Sequence, residues 1–535
     1  MKRLKIFITI SFLTVFIVSA NAQIHVIPRP QQITMKDGAY ILSSKTVIVS
    51  DESTQKEATY LADILEDSFG QKTTVKSEGK GIVLTLDVGL KNRIGNEGYQ
   101  LEVYPEGVQI SGATNAGIFY GIQTLRQLLP PDFEFHSDNQ KTASLPCVSI
   151  EDHPRFHWRA FMLDESRHFQ GMELVKELLD QMALMKMNVF HWHLTDDQGW
   201  RIEIQKYPRL TSIGGFRNNT QTVRHEEVFS GEPHGGFYTQ EQIKEIIAYA
   251  NKRHIEIVPE IEMPGHAMAA IAAYPWLGVL GTTKEVSVRF GKMDDSFDIA
   301  NPKVIQFLED VLSEVFELFP GKVVHVGGDE VRFDTWKNSP EIQAYMKTHN
   351  LSSPADLQIF FTNKISQFID RTGHRMMGWN EILGDNVHGQ EAANIEVKET
   401  LAKSAVIHFW KGNLELVNKA VSNGYDVVNS YHAQTYLDYD YKTIPLEKAY
   451  TFDPIPEGLD PKYDSKILGS GCQMWSEWIP SKEKMELQVF PRLAAYAEVG
   501  WTNKNRKDYD SFTQSLSEME KRWDLQGISF NKITD

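Results

Sequence analysis

The sequence predicts an α/β fold: a (β/α)8 TIM barrel preceded by a small α+β domain. Three observations carry this expectation. Between about residue 155 and residue 500, short apolar runs suited to buried parallel strands alternate with amphipathic helical patterns. Eight such runs are present: Ala160–Leu163, Val189–His193, Ile255–Pro259, Val323–Val326, Arg375–Trp379, Val406–Trp410, Asp426–Asn429 and Ile467–Trp475. The chain also places its unusual residues, tryptophan, histidine and carboxylates, at the C-terminal ends of these runs, where barrels of this class build their sites. Finally, 535 residues leave room for a separate domain ahead of the barrel.

Taken in order, the first segment is expected to lie outside the fold. A basic stretch from Met1 to Lys5, an apolar run from Ile6 to Val18 and the small residues Ala20 and Ala22 read as a secretory signal peptide over 1–22. That pattern predicts an exported protein, periplasmic or secreted. Residues 23–152 are expected to form the small α+β domain. Thr46–Val49 and Ile82–Leu86 read as strands, with a helix over Ala58–Phe69 whose Leu61, Leu65 and Phe69 share a face. Tyr99–Ser111 alternates around Pro105 and Gly107, a hairpin signal, and Asn115–Leu129 reads as a helix stopped by Pro130 and Pro131.

The catalytic barrel is expected over 153–505. Its helices carry physical start and stop signals. Val175, Leu178, Leu179, Met182 and Met185 make one buried stripe. Thr239 and Gln242 form a capping box ahead of Ile243, Ile246, Ile247 and Ala250. Asn301 and Pro302 open a helix that Pro320 and Gly321 end, and Ser353 and Pro354 open one that Gly373 closes. Residues 211–237, rich in Gly, Asn and His, read as a long loop at the barrel mouth, and 506–535 as a C-terminal helix packed on the barrel.

Composition narrows the function. A formal charge of −16 argues against nucleic acid and anionic membranes as partners and suits a neutral substrate. Two cysteines, Cys147 and Cys472, make no disulfide framework; Cys472 sits in a strand-like run and reads as a small buried residue, and whether the two pair stays open.

The chemistry concentrates after Val323–Val326, where two glycines precede the adjacent carboxylates Asp329 and Glu330. Paired carboxylates in unlike environments are the equipment of general acid/base work on a glycosidic bond. Around them the strand ends offer Arg159, Asp196, Glu260, Glu262, His266, Trp379, Trp410, Tyr436, Asp438, Trp475 and Glu477. Aromatic faces pack on the C–H faces of a pyranose while acids and an arginine grip its hydroxyls. His191 and His193 point to one face of a strand and raise the alternative of a metal-dependent barrel hydrolase. Later strands offer carboxylates and tryptophan but few histidines, so no metal and no cofactor is expected. Asp196 and His266 read as a pair bracing the acid/base residue.

These motifs resemble glycoside hydrolase family 20, the β-N-acetylhexosaminidases. The resemblance rests on His325–Glu330 (His-Val-Gly-Gly-Asp-Glu), Arg159 with Met162–Phe169, His193–Arg201 and Pro259–His266, and covers nearly all of the chain after residue 22. It implies a retaining exo-glycosidase without an enzyme nucleophile, one of the exceptions to the two-carboxylate scheme, in which the substrate's acetamido oxygen attacks the anomeric carbon. By that resemblance Glu330 is general acid and then base, Asp329 orients the acetamido N–H, and Tyr436 binds its carbonyl. Arg159 binds O3 and O4, Glu477 holds O4, Asp438 holds O6, and Trp379, Trp410 and Trp475 enclose the sugar. Trp410-Lys-Gly-Asn413 departs from the family's pattern at one loop. The partner implied is an oligosaccharide or glycoconjugate, with no nucleic acid and no membrane span in the mature chain. Two alternatives on the same scaffold are a lacto-N-biosidase-like member and a catalytically silent glycan-binding protein.

Overall fold

A computed structural model describes residues 24–135, 142–282, 285–291, 293–385 and 400–532. The expected signal peptide lies outside the described residues. Among the described residues no helix is long and apolar enough to cross a membrane.

The N-terminal part is a seven-stranded mixed sheet. From one edge its order is Gln32–Ser43, Thr142–Asp152, Tyr99–Tyr104, Gly107–Gly112, Ile82–Leu86, Val47–Val49 and Thr74–Lys76. Helices Gln55–Phe69 and Asn115–Leu128 supply Leu61, Leu65, Ile118, Ile122 and Leu125 to its core. The hairpin and both helices fall where the sequence puts them. Strands Gln32–Ser43 and Thr142–Asp152 escaped sequence reading because turn formers interrupt them. The first shifts register between Met35 and Ala39, around Gly38 at φ +100°, and the second contains Pro146.

The barrel closes with eight parallel strands: β1 (Trp158–Asp164), β2 (Val189–His193), β3 (Glu256–Glu260), β4 (Val323–His325), β5 (Arg375–Trp379), β6 (Val406–Phe409), β7 (Asp426–Asn429) and β8 (Ile467–Met474). These are the expected strands, within two residues at each end. The helices between them show the expected caps: the Thr239–Gln242 capping box, Asn301 accepting from the Lys303 N–H, and a Ser353–Asp356 capping box. Register matters most at the upper rim. Glu260 on β3 aligns with His193 on β2 and with His325 on β4, and Trp379 on β5 with His408 on β6.

The mouth loop over 211–237 is braced. A short pair, Phe216–Arg217 with His234–Gly235, runs through it. The buried guanidinium of Arg201 donates to the carbonyls of Glu165, Ser166, Gly215 and Gly236 at 2.6–3.0 Å.

At the opposite end, the barrel meets the N-terminal sheet through polar contacts. Lys186 Nζ, fully buried, lies 2.9 Å from Tyr99 Oη and 3.1 Å from Asp152 Oδ2, and Trp501 Nε1 donates to Asp152. Arg159 belongs here as well. Its guanidinium pairs with Glu97 at 2.6 Å and donates to the carbonyls of Lys186 and Phe156. The expectation that Arg159 binds sugar hydroxyls is therefore corrected: it is the second residue of β1, at the end of the barrel away from the strand C-termini.

The C-terminal helix, Tyr509–Gln526, packs Trp523 on Phe490 and ties to the N-terminal domain through Arg522 and Glu134 at 2.8 Å. Cys147 and Cys472 are both buried and both free.

Candidate active site

β4 ends at His325, and the next residues turn sharply. Gly327 and Gly328 have φ +64° and +94°. A Cβ on Gly327 would lie 1.6 Å from Glu262 Oε2, so only glycine fits under that carboxyl. The turn delivers Asp329 and then Glu330, itself at φ +49°. His266, at φ +50°, approaches both: its Nε2 is 3.8 Å from Asp329 Oδ2 and 4.0 Å from Glu330 Oε2. Left-handed conformations in residues other than glycine cluster at functional sites.

Behind His266 lies a chain of charges. His266 Nδ1 is 3.1 Å from Asp196 Oδ1 and 3.2 Å from Asp197 Oδ2. Burial alone would lower His266, but Asp196, Asp197 and Asp329 hold it well above the usual imidazole range. Asp196 is held ionised against burial by Arg167 and His266, with Arg167 Nη2 2.7 Å from its Oδ2. Asp329 is pushed up to about 8, chiefly by burial and against the pull of His266. The structure thus brings Asp196, His266, Asp329 and Glu330 together.

Four aromatic side chains form the walls. Trp475 is 5.9 Å from Trp379 and 6.0 Å from Tyr436, and the Tyr436 ring lies parallel to Trp410 at 6.1 Å. The indole N–H of Trp379 donates to Glu260 at 3.0 Å and that of Trp410 to Glu381 at 2.9 Å. Burial raises Tyr436 well above the usual phenol range, so its hydroxyl keeps a proton to donate. Burial also raises Asp438 and Glu477, and each is raised further by carboxylate neighbours.

The arginine of this pocket is Arg167. Its guanidinium lies 5.0 Å over the Trp475 ring, contacts Asp164 and Asp196, and acts on Glu477. The signal was present in the sequence: Arg167 follows the end of β1, whereas Arg159 precedes most of it. Sequence reasoning placed Glu381 and Glu260 at strand ends and gave neither a role. A cavity of about 800 Å³ beside Tyr431, Phe452 and Asp453 holds none of these residues, so the chemistry rather than cavity size marks the site.

The description "Glycosyl hydrolase family 20, catalytic domain" matches residues 156–504, and the family's domain 2 matches residues 23–153. The chain belongs to glycosyl hydrolase family 20. It is a glycoside hydrolase of the β-hexosaminidase type. A β-hexosaminidase of Porphyromonas gingivalis is 36% identical over 523 residues, covering 95% of this chain and 64% of its own length. That of Vibrio furnissii is 35% identical, covering 90% and 77%. Among solved structures, a family 20 exo β-N-acetylglucosaminidase of Vibrio harveyi with bound N-acetylglucosamine superposes with a TM-score of 0.82 at 32% identity, covering 95% of this chain and 78% of that one. A mutant Streptomyces plicatus β-hexosaminidase in complex with its product, N-acetylglucosamine, gives 0.81 at 32% identity, covering 95% and 96%.

Proposed function

We propose that this chain is an exo-acting, retaining β-N-acetylhexosaminidase. It removes terminal non-reducing β-linked N-acetylglucosamine or N-acetylgalactosamine by substrate-assisted catalysis through an oxazolinium ion. The observation that carries the reading is the Asp329–Glu330 turn backed by the His266–Asp196 pair. Glu330 gives its proton to the leaving oxygen as the glycosidic bond breaks. The acetamido oxygen forms the new bond to C1, and Asp329 accepts the acetamido N–H. Glu330 then takes a proton from water, which opens the ring. Asp329 Oδ1 and Asp438 Oδ1 are buried without a hydrogen-bond partner among the described residues. Such orphaned acceptors are costly unless a ligand satisfies them, and an amide N–H and a sugar hydroxyl would do so.

Arg167 takes the role first given to Arg159, gripping hydroxyls beside Glu477. Half-buried Asp438 and Glu477, whose carboxylates act on one another, take O6 and O4 of a terminal sugar in this reading, which favours a monosaccharide product over a disaccharide. Export rests on the pattern of residues 1–22, and N-terminal sequencing of the native protein tests it.

The decisive test compares aryl glycosides. The N-acetyl-glucosaminide and N-acetyl-galactosaminide should be hydrolysed, the N-trifluoroacetyl derivative far more slowly, and the plain glucoside scarcely at all. A fluorinated substrate turned over as fast as its parent would overturn substrate assistance, and cleavage of a long polymer without monomer would overturn the exo reading.

A further inference from the structure

Glu260 has no part in the chemistry above, yet among the described residues no carboxylate in the barrel is more enclosed. It is fully buried at the last residue of β3, in register with His193 and His325. Its Oε1 accepts the indole N–H of Trp379 at 3.0 Å and lies 2.8 Å from His325 Nδ1. Its Oε2 lies 2.6 Å from His193 Nδ1 and 2.9 Å from His191 Nε2. The other ring nitrogen of His193 lies 3.0 Å from Asp196 Oδ2, the same oxygen that Arg167 holds.

We propose that Glu260 is a positioning residue for the glycosidase reaction. One of its oxygens fixes the pocket tryptophan Trp379, and the other fixes His193 and, through it, Asp196. A single buried carboxylate then sets both the wall that receives the sugar and the base of the chain Asp196–His266 that serves Glu330. The proposal rests on the glycosidase reading of the site.

The charge pattern agrees. Burial would lower His193, but Glu260 and Asp196 raise it to about 10, so it is an imidazolium between two carboxylates. Burial would raise Glu260, and His325 and His193 instead hold it well below the usual range, while burial lowers the adjoining His191 to about 4. The remaining neighbours offer no competing partner for its charge: burial leaves His408 neutral and Glu262 protonated. A charge buried this deeply is costly, and an apolar residue would serve packing as well. A carboxylate with these neighbours suits orientation better than stability, in the manner of groups that fix the ligands of other sites.

The test is Glu260→Gln in the full chain, assayed with an aryl substrate and with chitobiose. kcat/KM should fall by about 10- to 100-fold, the range for losing hydrogen bonds to a charged group. The loss should be larger for chitobiose, whose leaving oxygen needs a proton, and the pH profile should shift. Trp379→Phe, which keeps a ring and deletes the N–H, should cost activity alone and add little in the Glu260→Gln background. In the unaltered enzyme, low-field proton resonances from the His193 ring should persist to pH 9, which tests the proposal even if Glu260→Gln fails to fold. Wild-type kinetics in Glu260→Gln, additive losses with equal effects on both substrates, or absent resonances would overturn it. So would one tightly held metal ion per chain that is lost in Glu260→Gln, since Glu260 would then be a metal ligand beside His191 and His325 or beside His193 and Glu262. Inactivity of the unaltered enzyme on both substrates would instead fault the glycosidase reading.

Discussion

Asp329 and Glu330 are chain neighbours with unlike surroundings: their side chains are 12% and 24% exposed, and only Asp329 has a buried oxygen lacking a partner. That asymmetry suits one to a fixed polar contact and the other to proton traffic. Glu330→Gln keeps the shape and removes the proton. Its kcat should fall by ~10²–10⁴-fold on substrates with poor leaving groups and much less on an activated aryl glycoside. Equal losses on both would give Glu330 another role. His266 allows a prediction with a definite sign. Its cation pulls Asp329 downward, so His266→Phe should raise Asp329 further. Ionised Asp329 is the form that accepts the acetamido N–H, so the acid limb of the kcat/KM profile should move to higher pH. A profile that stays in place, or moves down, would show that His266 carries no charge in the working enzyme.

At the scale of the element, β1 separates two arginines that the sequence left confusable. Along an extended strand each residue advances ~3.3 Å, so Arg159 and Asp164 lie ~16 Å apart and cannot serve one pocket. Arg167, just past the strand end, can. Arg167→Lys should reduce kcat/KM by ~10- to 100-fold with little change in thermal midpoint, because a planar fork shared among Asp164, Asp196 and substrate is replaced by a point charge. Arg159→Leu should do the reverse. It leaves Glu97 without its nearest cation and should cost about 3–5 kcal/mol of stability while the folded fraction keeps its kinetic constants, as parallel melts and active-site titration would show. The same contrast explains what the sequence could tell. The barrel strands were legible because each is a short apolar run between capped helices, and the Asp329–Glu330 turn because its glycines and acids are local. Partners brought together by register were not. Nothing local in Glu260, His193 or Trp379 says that they meet, and the strands around Gly38 and Pro146 were hidden by their own irregularity.

Over the whole molecule, the polar junction between the N-terminal sheet and the barrel governs folding. Two of the cations that the barrel buries, Arg159 and Lys186, have their carboxylate partners Glu97 and Asp152 outside residues 156–504. Arg522 adds a third tie, pairing with Glu134 and donating to the carbonyls of Arg126 and Leu129. Removing the N-terminal sheet would strand all three. Breaking a buried pair by deleting one partner costs about 3–5 kcal/mol, against a total stability of only ~5–15 kcal/mol for a domain. A chain comprising 156–532 should therefore aggregate or lack a cooperative thermal transition, although every proposed catalytic residue is present. Soluble expression and calorimetry of that fragment beside the full chain test this. The milder change Asp152→Asn in the full chain should lower the midpoint without abolishing folding, because Tyr99 still faces Lys186 at 2.9 Å. A fragment that melted cooperatively and hydrolysed the aryl substrate like the full chain would show that the barrel carries its own buried cations unaided, and that the junction serves something other than folding.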